Sequence, residues 1–235
     1  MELQKHQKIT LLSVGVVLLV GVIGFYSISN IKGPPSAVER AQALESPELR
    51  TNFNAFLEKF LKSVETGMAD YKAERKVLVE AAGPLNLRQP EYVEENYSMS
   101  KQLTSSLRVR IDHILHIFRE AEADVGTLLT NEPAEVRRAI SEEWSQLKQK
   151  QEKVYIDYFA VENELLAAYD DLMNFYYAKR YEFQVDVDSS AFVFKLPEDD
   201  AEAKRLQQRI DDLYAKEKAI LNEQPAAEQP ATLPQ

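Results

Sequence analysis

From residue 47 onward the chain repeats apolar side chains at steps of three and four, the period of one face of an α-helix. Leu49, Phe53, Phe56, Phe60, Val64, Met68 and Tyr71 form the first such stripe. It predicts a helix over about 47–82, ended by the breakers of "AAGPLNLRQP". Ser46 followed by Pro47 reads as its start, a serine N-cap with proline at the first helical position. A second stripe of Val93, Tyr97, Leu103, Leu107, Ile111, Ile114, Phe118, Val125 and Leu128 predicts a helix over about 90–129. The turn "TNEPAE" then offers Thr130 or Asn131 as a cap before Pro133, and so short a turn implies antiparallel neighbours.

The longest pattern covers about 133–181. Ile140, Trp144, Leu147, Gln151, Val154, Tyr158, Val161, Leu165, Ala168, Leu172 and Phe175 alternate steps of four and three, a heptad seam with one polar break at Gln151. A second stripe of Tyr155, Phe159, Leu166, Tyr169, Met173 and Tyr176 widens the apolar face beyond what a two-stranded coil needs. The wider face calls for a bundle. The period then drops to two in "EFQVDVDSSAFVFKLPEDD", where Phe183, Val185, Val187, Phe192 and Phe194 alternate with polar residues around Asp188 to Ser190. That is a strand-like segment, a hairpin or an extended crossing. A last helix over about 198–222 uses Leu206, Ile210, Leu213, Ile220 and Leu221, with Glu198, Asp199, Asp200 and Glu202 matching the dipole of its first turn. The tail over 224–235 lacks core-forming residues and reads as disordered.

Ahead of this region the pattern is different. Between Lys8 and Lys32 lie 23 residues without a charge, about 35 Å of helix against a hydrocarbon core of about 30 Å. Leu11, Leu12, Val14, Val16, Val17, Leu18, Leu19, Val20, Val22, Ile23 and Phe25 cover every face, unlike a core helix of a soluble protein. Lys5, Lys8 and the small residues of "SISN" imitate a cleavable signal, whose apolar run is usually shorter. The expectation is a single-pass anchor over 9–31, after a short tail over 1–8. Lys32, Arg40 and Arg50 follow the span, so positive charge alone does not set its orientation. A signal-anchor exporting the rest of the chain is the expected topology, with the bulk extracytoplasmic and periplasmic if the cell is Gram-negative. Residues 32–46, with Gly33, Pro34 and Pro35, read as a stiff juxtamembrane linker.

Charge and composition then remove functions. The chain carries 38 acidic and 28 basic residues, a formal net charge of -10, which disfavours nucleic acid as a partner. Zero cysteines exclude disulfides, thiolate nucleophiles and thiolate metal sites. The cluster with ligand-like spacing is "DHILHIFRE", where His113, His116 and Glu120 share one helical face. Ile111, Ile114, Leu115 and Phe118 occupy the opposite face, so these three are expected to point to water, and the Glu-x-x-His pairs of di-iron bundles are lacking. Tyr169, Phe175, Tyr176, Tyr177 and Tyr181 could line a small-molecule pocket at a bundle end, or pack as core. Asp170, Asp171, Asp199 and Asp200 look like paired acids, but their expected places are helix surfaces and starts, with no nucleophile or phosphate loop beside them. Asn96 in "NYS" is a glycosylation sequon. No catalytic, cofactor-binding or metal site is expected.

The stretches "FNAFLEKFLKSV" and "DSSAFVFKLPEDDAEAKRLQQRIDDL", behind one N-terminal anchor, resemble an uncharacterised family of small bacterial envelope proteins, some of them lipid-anchored. The resemblance covers the first helix and the last forty or so residues, and the chain departs from the family in having no cysteine for lipid attachment. It implies an envelope address and no activity. The reading is an all-α protein: a transmembrane helix, then an elongated antiparallel bundle of about four helices over 47–223, with the strand-like segment before the last. The expected role is a membrane-tethered scaffold that engages a protein partner or its own kind through helix faces. The alternative is an extracytoplasmic small-ligand-binding or sensory bundle.

Overall fold

A computed structural model describes residues 47–222. The expectations placed on the anchor over 9–31, the linker over 32–46, Ser46 and the tail fall outside the described residues, as do the side chains of Leu147 and Gln151. Among the described residues the elements are α1 (Pro47–Ala81), a 3-10 turn η1 (Pro84–Leu87), α2 (Pro90–Leu128), α3 (Ala134–Ala178), β1 (Phe183–Asp186), β2 (Ala191–Phe194) and α4 (Pro197–Asn222). The described residues are mostly helical with one small two-stranded sheet. No helix among the described residues is long and apolar enough to cross a membrane.

Prolines set the starts. Pro90 and Pro197 occupy first positions, where the missing N–H has no intrahelical partner to lose. In front of α3 it is the Pro133 carbonyl that accepts the first helical bond, from Arg137 N at 3.0 Å. Thr130 turns back instead and donates its hydroxyl to Gly126 O at 3.2 Å. At its far end α3 stops at Ala178, before the expected 181. Glu182 is needed elsewhere: its carbonyl accepts from Lys195 N at 2.9 Å, the first rung of the hairpin.

The described residues form two compact units: 47–66, Ile114–Ile156 and 220–222 make one, and Gly67–His113 with Asp157–Ala219 make the other. All four α-helices contribute residues to both units.

The first unit is organised by aromatic rings. Phe53, Phe56 and Phe60 meet Trp144 edge-on, at centroid distances of 6.4, 5.4 and 5.7 Å, and Phe60 meets Phe118 at 5.4 Å. Leu49, Leu57, Ala121, Val125, Leu129 and Val136 complete this core. Edge-to-face contacts of this kind add about 0.5–1.5 kcal/mol per pair beyond area burial.

In the second unit the pairings reveal helix direction. Tyr97 stacks on Tyr177, whereas Lys101 and Thr104 reach back to Asp170, so α2 and α3 run antiparallel there. Gln207 donates to the Tyr176 hydroxyl and Lys216 lies opposite Glu164, so α3 and α4 are antiparallel too. The strand-like segment is an antiparallel hairpin with Phe183 opposite Phe194 and Val185 opposite Phe192. Alternation puts these four on one face, where Phe192 stacks on Tyr176 at 4.5 Å and Phe194 meets Phe175 at 5.8 Å. In the loop, Asp186 accepts from Asp188 N at 3.1 Å and from the Ser189 hydroxyl at 2.5 Å. Ser190 closes it in the left-handed region, φ 52°.

Candidate functional site

The feature of the second unit that departs most from an apolar core is a buried charged layer. Arg75 on α1 donates to Glu217 on α4 through both terminal nitrogens, Nη1 to Oε1 at 3.1 Å and Nη2 to Oε2 at 2.7 Å. The same Nη1 lies 3.1 Å from Glu162 Oε1 on α3. Tyr71, one turn before Arg75, donates its hydroxyl to Glu162 Oε2 at 2.5 Å. The Tyr214 ring lies beneath the guanidinium at 5.2 Å, and its hydroxyl meets that of Tyr169 at 2.8 Å. Glu162 is fully buried and the Arg75 side chain only 12% exposed.

One guanidinium faces two carboxylates, and Glu217 takes the two-pronged, better-aligned share. Arg75 Nε and Glu162 Oε1 are left buried without a hydrogen bond. Burial therefore dominates Glu162 and pushes it up to about 7, against the pull of Arg75 and of hydrogen bonds from Tyr71 and Tyr158. Burial also opposes the charge of Arg75, but Glu162 and Glu217 hold it well above its ordinary value. Tyr71 and Tyr158 are raised, by burial first and by Glu162 next, so both stay neutral donors. Half-buried Lys72 is lowered by burial. Chemically, the layer can hold or release a proton inside the unit.

The sequence pattern contains the signal for this layer, although no motif marks it. Glu162 fills the gap between Phe159 and Leu166 in an apolar stripe, Arg75 the gap between Tyr71 and Leu78, and Glu217 the gap between Leu213 and Ile220. Each is a charged residue at a core-facing heptad position.

The residues singled out by sequence are placed differently. His113, His116 and Glu120 are all exposed, and His116 pairs with Glu120 at 3.0 Å. Among the described residues no three His, Asp or Glu side chains gather as metal ligands. The tyrosine-rich end is occupied by its own packing. Tyr176 is buried between Phe183 and Phe192 with its hydroxyl held by Gln207. Tyr177 lies between Tyr97 at 4.4 Å and the Arg180 guanidinium at 4.3 Å, while Tyr181 is 62% exposed.

The four aspartates divide. Asp171 is a surface partner of Arg209, at 2.6 Å, and Asp200 of Lys204, at 2.7 Å. Asp170 gathers Lys101, Thr104 and Arg108 within 3.3 Å. Asp199 lies in the first turn of α4, as expected, but is buried there and paired with Lys179 just past α3 at 2.8 Å. Asn96 Nδ2 donates to Asn86 O at 2.9 Å and Tyr92 O at 2.8 Å. A glycan attached there would displace both bonds.

No protein family, no curated protein and no solved structure was found to match the chain.

Proposed function

We propose that the protein is a membrane-tethered helical scaffold of the cell envelope, one that engages a protein partner or a second copy and performs no catalysis. In this reading residues 9–31 are the single-pass anchor, most of the chain lies outside the cytoplasm, and an antiparallel bundle of about four helices stands on the linker over 32–46. The 23 uncharged residues between Lys8 and Lys32 support the tether, and the resemblance to small anchored envelope proteins supports the address.

The observation that carries the scaffold over the ligand-binding reading is how the polar groups of the second unit are spent. Tyr71, Arg75, Glu162 and Glu217 bind one another, and the hydroxyls of Tyr169 and Tyr176 are taken by Tyr214 and Gln207. Side chains that would orient a small molecule are already engaged inside the fold.

Cross-linking in intact cells, followed by gentle solubilisation and capture of the full-length chain, tests the proposal. A stoichiometric partner or a homo-oligomer is expected. Recovery of the bare monomer alone would sink it. A C-terminal reporter active only in the cytoplasm should stay silent, and its activity would refute the orientation.

A further inference from the structure

The hairpin of the second unit has two edges, and they are not equivalent. The bond from Lys195 N to Glu182 O makes 182 and 195 a bonded pair, so along the register the bonded pairs are Gln184 with Val193 and Asp186 with Ala191. The main-chain N–H and C=O groups of Phe183 and Val185, and of Phe192 and Phe194, therefore point away from the neighbouring strand. On the β1 side η1 lies alongside. On the β2 side the outward groups of Phe192 and Phe194 find no backbone partner among the described residues, and Ala191 and Val193 are exposed, Val193 by 56%. β2 is thus an edge of strand-forming residues, "AFVF", without the proline or bulge that commonly blunts one.

These outward groups match themselves. Two copies of β2 laid antiparallel about an axis through Val193 bring Phe192 of each against Phe194 of the other, so that both outward-pointing residues of each strand meet their like. A slip of one residue sets outward groups against inward ones. On the exposed face Val193 then covers Val193 of the other copy, at a Cα separation of about 4.5 Å, the closer of the two antiparallel pairings. The ends are complementary as well. Lys195 falls opposite Ala191 of the other copy, whose small side chain leaves the lysine free to extend towards Asp186, the register neighbour of that alanine. No like charges stand opposite each other.

We propose that β2 is the surface through which the chain pairs with a second copy, its edge joining the same edge of that copy in one continuous antiparallel sheet. The inference names the partner of the scaffold reading and rests on it, because so short a seam needs both copies held on one membrane, where tethering raises their effective concentration.

The chain has no cysteine, so introduced thiols report the pairing directly. In the full-length protein, on membranes of the expressing cells, oxidation of Val193→Cys should give a disulfide dimer several-fold in excess of Val109→Cys, a still more exposed control on α2. Register is read by coexpressing Ala191→Cys with Lys195→Cys, which face each other across the seam: the mixed dimer should exceed the dimer of either variant with itself. All three hairpin side chains lie on the exposed face, so the packed rings of Phe192 and Phe194 stay in place. A Val193→Cys yield no greater than that of Val109→Cys, or a mixed dimer no greater than the self-dimers, would overturn the proposal. Carbonate extraction of the same membranes reads the tether separately. Release of the chain refutes the anchored scaffold, whereas a retained chain without the Val193→Cys dimer refutes the strand pairing alone.

Discussion

Replacing Arg75 by Ala removes the one guanidinium from a layer that contains two buried carboxylates. Glu162 is fully buried and the Glu217 side chain is 9% exposed, so neither recovers its hydration when the partner goes. Breaking a buried ion pair from one side typically costs about 3–5 kcal/mol, most of it the penalty of the abandoned charge. Lost packing against the Tyr214 ring adds to this. The penalty must depend on pH, because Glu162, already raised by burial, can escape it by taking a proton. We expect a loss of about 3–5 kcal/mol in urea denaturation at pH 8, shrinking towards about 1–2 kcal/mol at pH 5 as Glu162 neutralises. The companion is Arg75→Met with Glu162→Leu and Glu217→Leu, which removes the charges together. Its stability at pH 8 should return close to wild type, since apolar replacement of a buried charged set is often neutral or better. A cost for Arg75→Ala that is below 1 kcal/mol, or the same at pH 5 and pH 8, would refute the account of a buried charged layer held by Arg75.

Trp144 touches Phe53, Phe56 and Phe60, and Trp144→Ala should lower stability by about 3–5 kcal/mol, read by thermal melting of far-ultraviolet circular dichroism. Tyr214→Phe leaves the buried Tyr169 hydroxyl without its partner and should cost about 1–2 kcal/mol, with most of the effect absent when Tyr169 is also Phe. Ser190 pays for its positive φ, so Ser190→Gly should raise stability by up to about 1 kcal/mol in the same melts, and Ser190→Val should lower it. At the hairpin base, Phe183→Ala removes the ring set against Tyr176 and Phe194. Limited proteolysis should then cut the 187–190 loop faster than in wild type, with the core of the first unit unaffected.

Helices were the most legible part of the chain, because a stripe such as Leu49 to Tyr71 is long enough for period and burial to agree. Where local chemistry had to choose between neighbours, tertiary demand decided. Thr130 looked like a cap but bonds backward to Gly126, and Tyr181 looked helical but lies past the end of α3, just before Glu182 joins the hairpin. The alternation around Phe183 and Phe192 signalled strands, yet only their rings against Tyr176, with Phe194 against Phe175, explain why so short a hairpin is held. The candidate site was hidden for a different reason. Reading stripes by their apolar members passes over Arg75, Glu162 and Glu217, which are charged residues at positions where the stripe requires burial. Partners this far apart in sequence, 142 residues between Arg75 and Glu217, leave no local pattern.

That separation has a kinetic consequence. The contacts of Tyr176 with Gln207 and of Tyr169 with Tyr214 close loops of 31 and 45 residues, whereas Tyr71 to Glu162 spans 91 and Arg75 to Glu217 spans 142. Shorter loops lose less chain entropy on closing and form sooner. The α3, hairpin and α4 segment is therefore expected to form before α1 docks on it, presenting two carboxylates on adjoining helices before Arg75 arrives. Arrival of α1 with Arg75 completes the unit, and until then Glu162 and Glu217 repel each other at a water-exposed face. The same residues that crowd charge into the finished interior thus act, during folding, as a checkpoint that only the correct helix can satisfy.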